Sequence, residues 1–235
     1  MKVAVISYSG NVGKTTVAAH MLAPRIPAAK IHAIETVNET ATEMGLEVDQ
    51  LRGEKFVTLY KELLASSDAI VDVGASSAEE FIARMVKVEG SHLEIDYFVV
   101  PTTSGGKEQR DTVRTIQALN EVGVAPERIR VLFNRVRSDD VKEEFAPIFG
   151  FARQKGFVAK SDAAIEDNEV FDLLSAKKTS IAAVLSDETD YRQVLKNLTP
   201  DEKKKAAYAI DMHTLKGLAR GVNRQFDRAF TALFD

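Results

Sequence analysis

The 235-residue chain contains no cysteine. Disulfides and thiolate-ligated metal centres are thereby excluded, and the usage fits a reducing cytoplasm. Long apolar runs are missing as well: none approaches the roughly 18 residues of a membrane-spanning helix. The first residues lack the basic-then-apolar layout of a secretory leader. Internal repeats and low-complexity tracts are absent. Neither sign of charge dominates, with 31 Lys and Arg against 35 Asp and Glu and a net charge of −4. Attraction to nucleic acid or to an anionic membrane would therefore need a local patch. What is present is ordinary for a globular chain: 45% apolar and 28% charged residues. A soluble cytoplasmic protein without a membrane-spanning segment is expected, folded as one domain over residues 1–235 with a substantial core.

The informative stretch is Met1 to Thr16, MKVAVISYSGNVGKTT. Val3, Ala4, Val5 and Ile6 read as a short strand buried on both faces. Ser9, Gly10, Asn11, Val12 and Gly13 make a small, turn-prone loop, and Lys14, Thr15 and Thr16 open a helical segment. Strand, small-residue loop, Gly-Lys-Thr and helix is the context of a phosphate-binding loop. Polyphosphate wants several backbone N–H groups aimed at one point, and small residues let the backbone approach. A helix start adds free donors and a positive dipole end. Lys14 is expected to reach the β- and γ-phosphates and Thr15 to ligate Mg²⁺. In the full pattern G-x-x-x-x-G-K-[ST], Tyr8 occupies the first glycine position.

Downstream, apolar runs alternate with helical periodicity. A helix is expected over Lys14–Ala23, ended by Pro24 and Pro27, then a strand over Ile31–Ile34 and a helix over Asp49–Ser66. Ala69–Gly74 reads as a strand ending in Asp72, a carboxylate suited to fixing a Mg²⁺-bound water beside the phosphates. A helix over Ala78–Val88, a strand over Asp96–Pro101 and a helix over Gln109–Val122 follow. Arg128–Phe133 is a fifth strand, leading to Asn134, with helix from Ser138 to Gln154 and a short edge strand at Phe157 and Val158. A long amphipathic helix over 199–234 begins with Thr199 as N-cap and Pro200 in its first turn. Its apolar face carries Tyr208, Met212, Leu215, Ala219, Val222, Phe226, Phe230 and Leu233. Another face carries Lys216, Arg220, Arg224 and Arg228: a solvated surface, or a docking surface for DNA phosphates or an acidic partner. The apolar stripe is equally readable as a dimer seam. The alternation implies an α/β fold, a mostly parallel sheet with helices on both faces, binding ligand at the strand C-terminal ends.

The loop resembles that of ParA/MinD-type P-loop ATPases, the deviant Walker A type, whose pattern is roughly K-G-G-x-G-K-T-T. Gly10, Gly13, Lys14, Thr15 and Thr16 match it; Asn11 replaces its second glycine and Ser9 its first lysine. In that family the lysine reaches the partner's phosphates across a homodimer. The resemblance implies ATP and Mg²⁺ as ligands, with Ser9, Gly10, Asn11, Val12, Gly13, Lys14, Thr15, Thr16 and Asn134 binding nucleotide. Asn134 would read adenine; Arg137 stands where a guanine-reading aspartate would, which favours ATP over GTP. Thr15, Asp72 through water, and Glu35 would serve the metal. Val37 occupies the place of the aspartate that positions the attacking water, with Glu39 or Asn38 as its substitute. Lys14, Asp72 and Glu39 are the catalytic candidates. Lys107 and Arg110 are readable as phosphate or partner contacts or as surface cations.

The resemblance covers about residues 1–185. The Ser9 replacement and the stretch Ile34-Glu35-Thr36-Val37-Asn38 are most similar to StbB/TraL-type plasmid stability and conjugation proteins. An ATP-dependent switch with slow or partner-activated hydrolysis, a plasmid-encoded protein partner and a role in plasmid partition or transfer are what it implies. Two alternatives remain open: an ATP-dependent small-molecule enzyme resembling dethiobiotin synthetase, and a nucleotide-free interaction protein on the same fold.

Overall fold

The computed structural model describes residues 1–34, 49–50 and 56–235, with the backbone alone for 49–50. Seven strands are described: β1 (Lys2–Ile6), β2 (Lys30–Ile34), β3 (Asp49–Gln50), β4 (Ala69–Val73), β5 (Tyr97–Thr102), β6 (Ile129–Val136) and β7 (Ala164–Glu166). They form one sheet in the order β3-β2-β4-β1-β5-β6-β7. Every described pairing is parallel. Such a sheet needs crossovers and buries both faces, and β1 shows why its sequence reads as unbroken apolar residues. Val3 and Val5 face one core layer, Ala4 and Ile6 the other, and all four are fully buried.

The layer holding Ala4 and Ile6 is covered by helices Phe56–Ala65, Ala75–Lys87, Gly106–Glu121 and Ala146–Lys155. The opposite layer is covered by the helical segment after the loop, by Val170–Ala176 and Ile181–Ser186, and by the long helix Lys203–Phe234. That 32-residue helix buries Met212, Leu215, Ala219, Val222, Phe226 and Leu233. Arg25 binds it to the segment after the loop: its guanidinium donates to Asp227 Oδ1 and to the carbonyl and side chain of Asn223, and sits 5.7 Å from the Phe226 ring centre.

Several expected elements differ. Asp49 starts β3 rather than a helix, which begins at Phe56. The segment after Lys14 is helical throughout but changes pitch: Val17–Leu22 coils more widely, the Ala23 N–H reaching the Ala18 carbonyl five residues back. The stretch after Ser138 is two helices, Val141–Glu144 and Ala146–Lys155, interrupted at Phe145 ahead of Pro147. Val158 makes a single bridge to Arg130. The final helix begins at Lys203, because Glu202 turns its carboxylate back onto the N–H and hydroxyl of Thr199 at 3.1 and 3.2 Å. Tyr208, expected on the apolar face, is 55% exposed.

His20 lies within the wide-pitch segment, buried near the Phe171 ring. Burial alone lowers its pKa from 6.5 to about 4. The native state therefore refuses a proton that the unfolded chain accepts. Stability is full above the unfolded value and falls as the pH drops from about 6.5 toward 4, by up to about 3 kcal/mol. Urea melts across that range should show the slope, and His20→Leu should remove His20's share of it.

Candidate functional site

The C-terminal ends of β1, β4 and β2 are level, with Ile6 opposite Val73 and Val73 opposite Ile34. This sets the Ser7–Gly13 loop beside Asp72. The loop turns through two left-handed residues, Asn11 at φ 57° and Gly13 at φ 87°. Asparagine tolerates that region better than most residues, so Asn11 serves in place of a glycine. Gly13 is required twice over: its φ suits glycine, and a Cβ there would collide with Asn134 Nδ2. The Val17 N–H donates to the Gly13 carbonyl at 2.9 Å, starting the helix directly after the loop. Tyr8 turns its ring toward Arg114, 5.7 Å from the guanidinium carbon, and its N–H donates to Thr115 Oγ1 at 3.1 Å.

Lys14 is buried, its Nζ donating to the Ser9 carbonyl at 2.7 Å. Asp72 is buried at the end of β4. Burial pushes its carboxyl pKa up, against a hydrogen bond from Thr15 and the charge of Lys14. Asp72 Oδ1 has no hydrogen-bond partner among the described residues, nor does the buried Ser77 Oγ on the helix that follows. A carboxylate kept from water, bonded by the residue after the lysine and holding one unused oxygen, is a hard-oxygen donor of the kind Mg²⁺ takes. The donors present thus fit a magnesium-bound phosphate.

Asn134 lies inside β6 rather than beyond its end. The pleat places it with Arg130 and Leu132 on the face covered by the helix after the loop. There Nδ2 donates to the Val12 carbonyl at 2.9 Å, and Oδ1 accepts the Arg135 N–H at 3.0 Å. The expected base reader is thus engaged with the loop. Arg137 pairs with Asp167 at 3.1 Å. A cleft of about 850 Å³ opens at the ends of β6 and β7, lined by Arg137, Ser138, Asp140, Asp162, Glu166 and Arg228 among others. Glu35, Val37, Asn38 and Glu39 lie outside the described residues. Lys107 and Arg110 are exposed in the first turns of Gly106–Glu121.

Sequence reasoning missed Asp111. Its Oδ2 accepts the Ser9 hydroxyl at 2.7 Å across 102 residues of chain. No local pattern reports a pair so separated. Reasoning also misread Lys216, which is buried on the body of the protein. Its Nζ donates to the Thr189 carbonyl at 2.9 Å, lies 3.7 Å from Asp187 and stands over the Tyr191 ring. Bonds from Thr189 and Tyr191 hold the Asp187 carboxyl below the usual range, which completes a structural cluster. Arg220, Arg224 and Arg228 are exposed.

This is the fold of P-loop ATPases of the ParA/MinD kind, and solved structures of that group resemble it. McdA of Cyanothece in complex with ATP shares 16% identity, over 94% of this chain and 97% of that one, at TM-score 0.53. The MinC:MinD cell division protein complex of Aquifex aeolicus gives 18%, 94%, 95% and 0.55. A ParA family ATPase from Chlorobium tepidum TLS gives 14%, 89%, 97% and 0.52. No protein-family model and no curated protein sequence matches the chain. No described helix is long and apolar enough to cross a membrane.

Proposed function

We propose that the protein is an ATP-binding switch of the P-loop type, slow to hydrolyse ATP until a partner engages it. The observation that carries this reading is the Lys14–Thr15–Asp72 constellation, with its unused buried carboxylate oxygen at the mouth of a left-handed loop. Loop N–H groups and Lys14 hold the phosphates, which draws Lys14 away from the Ser9 carbonyl. Thr15 and Asp72 hold Mg²⁺, which when bound neutralises phosphate charge. The nucleoside extends toward the cleft at the ends of β6 and β7. The slow rate follows from the sequence: valine stands at position 37, where the resembling pattern has an aspartate that orients water, and Glu39 and Glu35 remain candidates by sequence alone. Calorimetric titration with ATP and GTP in the presence of Mg²⁺ tests the reading. ATP binding without GTP binding is expected; absence of both would overturn it.

Residues 1–235 then act as one cytoplasmic unit that changes partner affinity with the bound nucleotide. The similarity in the Ile34–Asn38 stretch supports plasmid stability, partition or conjugative transfer as its setting, with a plasmid-encoded protein as partner. The partner face is the exposed side of the long helix, Arg220, Arg224 and Arg228, directed at DNA phosphates or an acidic protein. A homodimer of this chain would assemble without the cross-reaching lysine, which Ser9 replaces. Arg220→Glu with Arg224→Glu should weaken duplex DNA binding at low salt at least about tenfold, measured by fluorescence anisotropy. DNA affinity that survives the reversal would remove this face from the proposal.

A further inference from the structure

The phosphate loop is held at both shoulders by side chains from distant elements. At its start, the Ser9 hydroxyl donates to Asp111 Oδ2 at 2.7 Å, and the Ser9 N–H donates to Ser7 Oγ at 3.2 Å. Asp111 is itself fixed on the Gly106–Glu121 helix: Arg114 lies 3.6 Å from its other oxygen, and Thr115 Oγ1 donates to its carbonyl at 2.7 Å. Thr115 Oγ1 also accepts the Tyr8 N–H, so one helical turn holds two consecutive loop residues.

At its end, the loop is held by Asn134. The register of β6 against β7 breaks between Asn134 and Val136, and Arg135 between them is left-handed at φ 54°. Such a bulge re-aims the neighbouring side chain. Here it lets the Arg135 N–H close onto Asn134 Oδ1, which fixes the plane of the amide and sends Nδ2 into the Val12 carbonyl. The same Nδ2 occupies the space beside Gly13 that a Cβ would need. The amide thus spends one of its donors and one of its acceptor positions on backbone, and its orientation is set by the loop and the bulge.

We infer that Asn134 and Asp111 are positioning residues that brace the phosphate loop within a single copy of the chain, Asn134 through Val12 and Gly13 and Asp111 through Ser9. They aim the loop amides before ligand arrives. The inference rests on the nucleotide-binding reading for its consequence in affinity, and on geometry alone for its consequence in the free protein. A braced loop binds polyphosphate more tightly whatever base is attached, because the ordering is complete before binding. A base reader affects only ligands that carry the base.

The test compares ATP with inorganic tripolyphosphate, both with Mg²⁺, by calorimetry on the wild type, Asn134→Ala, Asn134→Leu and Ser9→Ala. Asn134→Leu keeps the side chain near its size, adds no charge and removes the amide hydrogen bonds, so it serves if the alanine variant does not fold. Bracing predicts that each variant weakens ATP and tripolyphosphate by the same factor, about five- to tenfold. Loss confined to ATP would restore Asn134 as a base reader and overturn the inference for it. Hydrogen exchange on the free protein supplies the readout that needs no ligand. The Gly10–Lys14 amides should exchange about tenfold faster in the Asn134 and Ser9 variants. Unchanged exchange would overturn the bracing. If the wild type binds neither ligand while exchange accelerates in the variants, the nucleotide reading fails and the brace stands.

Discussion

Lys14→Ala is expected to lower ATP affinity at least about 100-fold. The lysine is the one cation placed inside the loop by its own backbone: buried, anchored to the Ser9 carbonyl at 2.7 Å, and adjacent to the residue that bonds Asp72. Two charge-assisted hydrogen bonds to phosphate, at about 1.5 kcal/mol or more each, account for that factor. The alternative cations are poorly placed. Lys107 and Arg110 are exposed on another helix, and Arg137 is paired with Asp167. Calorimetry on both proteins, with circular dichroism to verify folding, provides the check. An affinity unchanged by the substitution would mean that phosphate binds elsewhere or not at all.

Asp72→Asn is expected to act in opposite directions on stability and on function. Burial raises the carboxyl pKa, so the folded state binds the proton more tightly than the unfolded chain does. Folding stability therefore declines as pH rises through the folded value, and the ionised form is carried at a cost near neutrality. Asparagine removes that charge while keeping the shape. The melting temperature at pH 7 should rise by about 2–4 °C, equivalent to about 1 kcal/mol for a chain of this size. The gap should close as the pH falls through the ordinary carboxylate range. At the same time the variant loses the oxygen offered to Mg²⁺, and the magnesium-dependent part of ATP affinity should fall about tenfold or more. A lower melting temperature with magnesium dependence intact would show that Asp72 is a structural acid.

What could be read in the sequence follows the length over which each signal repeats. The apolar runs of β1, β2, β4 and β5 declare themselves, because a strand buried on both faces is mostly apolar, with polar residues such as His32 and Asp72 as single interruptions. β3 and β7, two and three residues long, are too short to show any period. The apolar spacing that suggested a helix from Asp49 belongs to the described helix only from Phe56. On the long helix the error was one of angle. A four-residue step overshoots a full turn by about 40°, so Lys216 and Arg228 lie about 120° apart around the axis and cannot share one face. Lys216 is drawn inward by Asp187 and Thr189, which come from a segment without periodicity. Within the site, Gly13, Lys14, Thr15 and Asp72 were legible because each sits at a fixed offset from a strand end. Asn134 could be placed from the sequence but its contacts could not: β6 runs three residues beyond Phe133, and the pleat then decides what the amide meets.

β1 lies in the middle of the sheet, between β4 and β5. Residues 2–6 are translated before both strands that flank them, which are encoded far downstream, at Ala69–Val73 and Tyr97–Thr102. A nascent chain therefore carries an apolar, unpaired β1 until β4 and then β5 have followed it, the kind of exposure that invites association with chaperones or with other unfinished chains. The phosphate loop inherits the same schedule. Its neighbours Asp72, Asp111 and Asn134 are translated in turn, so the surroundings of the loop are complete only after the chain has passed β6, and a fragment ending before it carries the motif without them.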